Sequence, residues 1–202
     1  MYCPEAFAES RTEVLAGLIR QHPLGLLVTV GADGPVANPI PFELGADGGT
    51  LRAHLARANP QLDDLRAGGP VLVVFQGEEA YISPAWYATK SETGKVVPTW
   101  NYLMVQARGR PVVTDDAAWL RAQIDALTTQ MEDGMPTPWA VSDAPDTYVR
   151  SMIRGIVGVE IQVQDLRGKW KAGQNKSPAD RAGVATALTG SHPALARATE
   201  AT

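Results

Sequence analysis

Three short stretches carry the residue types that can do chemistry. The first is His54-Leu-Ala-Arg57-Ala-Asn59-Pro60. A strand that ends in arginine, followed by an Asn-Pro helix start, sets positive charge beside free backbone N–H groups, which suits a phosphate or a carboxylate. The His54 imidazole could ligate a metal or touch a cofactor ring. Of the three histidines (His22, His54 and His192) it alone falls inside the predicted strands. The competing reading is a surface arginine and a hydrogen-bonded histidine. The second stretch is Lys90-Ser-Glu-Thr-Gly94-Lys95, whose amines could hold a carboxylate or reach a metal, or simply be solvated. The third is Gly168-Lys169-Trp170-Lys171-Ala172-Gly173-Gln174-Asn175. Two lysines flanking a tryptophan could cover a ring and pair with acidic groups, or form an exposed turn around a packed indole.

Aromatic residues gather around the second stretch. Tyr81, Trp86, Tyr87, Trp100 and Tyr102 lie close together in a chain that is 6% aromatic. Apolar runs flank a polar, glycine-bearing middle, which predicts strand, mobile loop, strand. Flat walls beside a flexible loop suit a planar ligand that must be gripped and covered. The same pattern also suits a hairpin whose aromatics fill an ordinary β core.

The elements that must position these residues follow from periodicity and turn chemistry. Ser10 and Glu13 open a helix that runs to about Gln21. Leu24 to Val30 is a continuous apolar run and predicts a buried strand. Val36 to Leu44 is a second strand, and Pro39 and Pro41 assign it to a sheet edge or a bulge. Thr50 to Ala56 is a third strand, Asn59-Pro60 starts a short helix to about Ala67, and Val71 to Gln76 is a fourth strand. Asp115 to Glu132 has helical spacing of Trp119, Leu120, Ile124 and Leu127. A short helix over Asp146 to Arg154, a strand over Ile156 to Val163, a polar segment over Lys169 to Asn175 and a helix over Ser177 to Leu188 complete the pattern. Short strands joined by glycine turns predict a small antiparallel barrel with peripheral helices. One domain is expected over residues 1–190, with 191–202 as a flexible tail.

Composition narrows the function classes. The formal net charge is −4 and no lysine/arginine cluster stands out, so direct nucleic-acid binding is not expected. A single cysteine, Cys3, excludes an internal disulfide framework and fits a reducing compartment. No signal peptide or bilayer-length apolar run is visible, so a cytoplasmic location without a membrane association is expected. There is no nucleophile elbow, no Walker A loop and no dinucleotide fingerprint, so a cofactor would have to carry any difficult chemistry.

Taken in order, MYCPEAF, HLARANPQ, AYISPAWY, GKVVPTWNY, IVGVEI, GKWKAGQN and ADRAGV resemble the PaiB-like family, whose members are often labelled FMN-binding negative transcriptional regulators. The resemblance runs over nearly the whole chain. It implies a mainly β fold with α elements, an FMN-binding split β-barrel with peripheral helices that forms a homodimer. The same family contains haem-dependent piperazate synthases, which close N5-hydroxy-L-ornithine into a cyclic hydrazine with loss of water. The chain departs from the regulator-like pattern at Asn38-Pro39-Ile40-Pro41, Gln106-Ala107-Arg108-Gly109 and Lys171-Ala172-Gly173, where histidines or larger residues are expected. These departures point to a reshaped pocket, and the expectation is therefore a haem b enzyme of the piperazate synthase kind acting on a small amino acid. In that reading His54 is the iron ligand and Lys90 or Lys95 covers the distal side. Arg57, Asn59, Trp86, Trp100, Lys169 and Trp170 contact the cofactor. The alternative is an FMN-binding regulator without catalysis, with Arg57 on the phosphate and Trp100 or Trp170 over the flavin ring.

Overall fold

Gly25 shows how tightly the strands meet. A Cβ at that position would lie 2.7 Å from both Phe75 and Val73, so only glycine lets the two strands and their rings close up. The computed structural model describes residues 1–201 and contains eight strands. They are β1 (Ala8–Glu9), β2 (Leu24–Gly31), β3 (Gly34–Pro41), β4 (Glu43–Leu44), β5 (Thr50–Ala56), β6 (Val71–Ile82), β7 (Thr99–Thr114) and β8 (Ile156–Lys171). Their order is β3-β2-β6-β7-β8-β5-β4, with β1 also paired to β8. The helices are α1 (Thr12–Gln21), α2 (Gln61–Arg66), α3 (Thr89–Thr93), α4 (Ala117–Glu132), α5 (Asp146–Arg154), α6 (Pro178–Leu188) and α7 (Pro193–Glu200). Among the described residues no helix is long and apolar enough to cross a membrane.

The chain divides into two compact units. One comprises residues 1–18, 76–105 and 167–202, the other residues 19–75 and 106–166. The second unit is built on β2–β5 and the helices α2, α4 and α5. Phe42 and Phe75 meet edge to face at 5.8 Å in its core. Leu120, Val141, Val149 and Ile153 form a further cluster where α4 packs on α5. Asp116 caps α4 by accepting from Ala118 N–H at 2.7 Å and Trp119 N–H at 2.8 Å. In the first unit α6 and α7 pack together.

Several expectations from sequence are revised. Leu24 to Val30 is a strand, but it alternates: Leu27 and Thr29 are buried, whereas Leu24, Leu26 and Val30 are exposed. Its inner face is held by α2, where Gln61 Nε2 donates to the Leu27 carbonyl and Thr29 Oγ1 donates to Asp64. The proline-bearing segment splits in two, with β3 at the end of the sheet order, as its prolines require, and β4 turning onto β5. The polar segment beginning at Lys169 is not a turn at its start, because β8 continues to Lys171. Residues 89–93, read as mobile loop, form a short helix closed by Gly94 at φ +67°. In place of a flexible tail, Pro193–Glu200 is helical and Leu195 and Thr199 are fully buried, one turn apart on a common face.

Candidate functional site

The richest chemistry in the first unit lies on one face of three strands. Alternation puts Trp100 and Tyr102 on one face of β7 and Lys169 and Lys171 on one face of β8. Lys171 Nζ donates to Thr99 Oγ1 at 2.6 Å and to the Trp100 carbonyl. Lys169 Nζ lies 5.2 Å from the Tyr102 ring centroid and 5.6 Å from that of Tyr2, and donates to the Tyr2 carbonyl at 3.1 Å. Tyr81, from β6, meets Trp100 edge to face at 6.1 Å. Tyr81 is 48% exposed and Trp100 is 54% exposed, so the aromatic surface faces outward.

The electrostatics of this face are one-sided. Lys169 is only 8% exposed. Among the described residues no carboxylate lies within ion-pair distance of Lys169, Lys171 or Lys176. Burial, then the charges of Lys169 and Lys176, push the Lys171 ammonium below the usual lysine range. Carbonyls and ring faces satisfy part of this charge, and an ammonium has three donors to place. An anion would relieve the mutual repulsion, and a flat ring could lie against Tyr81 and Trp100.

The other expected residues of this unit are placed around different tasks. Trp86 ends a 3-10 turn, Pro84–Trp86, capped by Ser83 Oγ. Its carbonyl would sit 2.1 Å from a Cβ at Gly183, which is why α6 needs glycine there. Lys90 and Lys95 are exposed, one on α3 and the other just past Gly94. What anchors α3 is Asp180, which accepts from Thr89 N–H and Thr89 Oγ1, both at 2.9 Å. Burial pushes the Asp180 carboxyl up, but hydrogen bonds from Thr89 and Ser177 and the Lys176 charge outweigh it and hold the carboxyl below its usual range. Lys176 also lies 4.9 Å over the buried Tyr87 ring. The Trp170 side chain is on the opposite face of β8 from the two lysines, over Gly168 and beside Leu15. It is half-buried there and does not share the lysine face.

In the second unit His54, Arg57 and Asn59 do not form an open anion site. Arg57 Nε and Nη2 donate to the carbonyls of Arg154 and Ile156 at 3.0 and 2.9 Å, and Nη1 lies 2.6 Å from Asp115. The guanidinium thus ties the end of β5 to the α5–β8 junction. Asn59 Oδ1 accepts from Gln61 N–H at 3.0 Å and shapes the start of α2. His54 Nδ1 donates to Gln123 Oε1 at 2.7 Å, so its Nε2 is the nitrogen left for another partner. Such anchoring is what a metal-binding imidazole needs. The cavity that Gln123 lines measures ≈ 150 Å³, however, and His54 is not among its lining residues. That space admits a single ring and no macrocycle.

Sequence reasoning assigned Lys169 and Trp100 to the cofactor, grouped Lys171 with Lys169 and Tyr81 and Tyr102 with the aromatic cluster without assigning them a contact, and passed over Tyr2. The missed signal was the two-residue spacing Trp100-x-Tyr102 and Lys169-x-Lys171, which puts like residues on one strand face.

The family described as "Putative FMN-binding domain" matches residues 1–165. An uncharacterised protein of Emericella nidulans is 37% identical over 91% of this chain and 88% of its own length. Protease synthase and sporulation protein PAI 2 of Bacillus subtilis is 30% identical over 89% of this chain and 85% of its own. Among solved structures, the FAD and haem binding protein from Mycobacterium smegmatis superimposes with a TM-score of 0.64 at 21% identity, covering 82% of this chain and 74% of that one. A conserved hypothetical protein of Mycobacterium tuberculosis gives 0.63 at 15% identity over 88% and 94%. In sequence and in its split-barrel fold with peripheral helices, this chain belongs to the PaiB-like FMN-binding family.

Proposed function

We propose that the chain is an FMN-binding protein of the regulator type, and that it holds the flavin on the face formed by Tyr81, Trp100, Lys169 and Lys171. The observation that carries this reading is a pair of lysines without a carboxylate partner, Lys169 against the Tyr102 ring and Lys171 on the Thr99 hydroxyl and the Trp100 carbonyl, beside the exposed rings of Tyr81 and Trp100. Lys169 and Lys171 would hold the phosphate by charge-assisted hydrogen bonds. The rings would receive the isoalloxazine by stacking. When bound, FMN supplies hydride or one-electron chemistry. The family match supports FMN over other cofactors. The exposed Leu24, Leu26, Val30 and Val36 on β2 and β3 fit a second copy of the chain, and a homodimer is part of the proposal.

A second reading keeps haem b, with His54 Nε2 as the iron ligand and N5-hydroxy-L-ornithine as substrate. Its support is the anchored His54 tautomer. One experiment separates the two. Purified protein is titrated with FMN and, separately, with haem, and followed by absorption and by sedimentation. The FMN reading expects saturable quenching of flavin fluorescence on a dimer, and no Soret band that responds to His54→Ala. A His54-dependent Soret band without flavin binding would replace it with the haem reading.

A further inference from the structure

Two buried polar atoms in the second unit have no hydrogen-bond partner: Gln123 Nε2 and Glu43 Oε2. Both residues line the same cavity of ≈ 150 Å³, with Arg52, Trp119, Ala122 and Ala126. The cavity lies where α4 packs against β4 and β5. Gln123 is 2% exposed, so its amide is cut off from bulk water. An unpaired buried donor or acceptor costs about 1–3 kcal/mol, and two facing one cavity ask for a common partner.

We propose that this cavity is a binding site for a small, uncharged molecule that carries a carboxamide or lactam edge. The atoms dictate the edge. Gln123 Oε1 is already engaged by His54 Nδ1–H, which leaves Nε2 as a donor that needs an acceptor. Glu43 Oε2 is an acceptor that needs a donor. An amide presents a C=O to the first and an N–H to the second.

Charge selects against ionic ligands. The Arg52 guanidinium is committed to Glu160, with Nε 3.0 Å from Oε2, and its Nη1 lies 4.0 Å from Glu43 Oε1. A carboxylate ligand would bring a further anion beside Glu43 and Glu160 with no free cation to meet it. An ammonium would leave Gln123 Nε2 unpaired. Size and shape complete the selection. Ala122 and Ala126 leave the space open, the Trp119 indole supplies a flat wall, and the volume holds one six-membered ring. Burial, opposed by Arg52 and reinforced by Glu160, pushes the Glu43 carboxyl up.

The site lies in a different unit from the lysine face and does not depend on the flavin reading. The test is calorimetric titration of the full chain with nicotinamide and with δ-valerolactam, with benzoate and benzylamine as charged counterparts. Saturable one-to-one binding of the amides, and not of the charged pair, is expected. Glu43→Met and Gln123→Met should each weaken it about tenfold or more. Ala126→Phe fills the space without removing a polar atom. It should abolish binding while circular dichroism and FMN titration stay as in the wild type, which keeps failure here separate from failure of the flavin proposal. Absence of amide binding, equal binding of benzoate or benzylamine, or a crystal soaked with nicotinamide that shows only ordered water in the cavity would overturn the proposal.

Discussion

Two strand faces in this protein look alike in sequence and differ in what meets them. On β5, Arg52 and His54 alternate along one face; on β8, Lys169 and Lys171 do the same. The β5 pair has protein partners: Glu160 for Arg52 at 3.0 Å and Gln123 for His54 at 2.7 Å. The β8 pair has carbonyls, a hydroxyl and ring faces, and among the described residues no carboxylate in ion-pair range. Polar residues whose demands are met inside the chain hold the fold together. Those left with charge of one sign are the ones that an outside group can satisfy.

The largest effect should come from the unmet pair. Removing both ammonium groups with Lys169→Ala plus Lys171→Ala should weaken FMN binding by roughly 100-fold, about 1.4 kcal/mol for each charge-assisted contact. Lys171→Arg retains the charge and should recover part of the loss. Fluorescence titration measures both. The free protein sheds the mutual repulsion but also loses the hydrogen bonds and ring contacts of both ammonium groups, so its thermal stability should fall, and affinity is compared only under conditions where the variant is folded. An FMN affinity within twofold of the wild type would mean that the lysine face is not the anion site, and the contrast between the two faces would collapse.

Much of this layout was legible from residue order and much was not. Periodicity located β5, α4 and α5 within a residue or two, since caps such as Asp116 and the apolar spacing of Leu120 and Ile124 are local signals. The motif residues His54 and Arg57 were found, but not their duties. The partner of His54 stands 69 residues away, and Arg57 bonds to carbonyls 97 and 99 residues on. No local pattern announces that an attractive arginine has already been claimed by the backbone. The burial of Lys169 was missed for a similar reason. Its strand runs on past the apolar stretch because β1 pairs there, with Ala8 opposite Lys169, and that pairing joins distant parts of the chain. α7 escaped notice because its apolar face is short, and what it packs against, α6, is supplied by the tertiary fold.

A middle-sized effect is expected from the satisfied face. His54→Ala strands the Gln123 carbonyl oxygen in a buried position, which should cost about 1–3 kcal/mol of folding stability. Chemical denaturation measures it. FMN affinity should not move, because nothing in the lysine cluster is touched. The opposite outcome sharpens the comparison from the other side. If His54→Ala unfolds at the same denaturant concentration as the wild type and yet loses a bound chromophore, the imidazole is a ligand, and Gln123 serves to orient it.

The smallest effect is a dependence on pH that only the β8 face should show. In the free protein burial and the neighbouring lysines hold the Lys171 ammonium below the ordinary lysine range. Between its lowered folded value and its unfolded value, the folded chain therefore binds fewer protons than the unfolded one. Stability of the free protein should rise with pH across that window. FMN binding should run the other way. An anion favours the charged amine, so affinity should be highest with Lys171 protonated and decline as pH rises through the lowered value. The change should be modest, a few-fold, because Lys171 is only half-buried and solvent screens its charge. Titrations from about pH 8 upward keep the flavin phosphate dianionic throughout, so its own protonation does not contribute. Lys171→Arg supplies the decisive control, since a guanidinium stays charged over the whole range. Its affinity should be flat where that of the wild type falls. If both profiles fall together, the titrating group is not Lys171 and the one-sided charge of this face is not what recognises the anion.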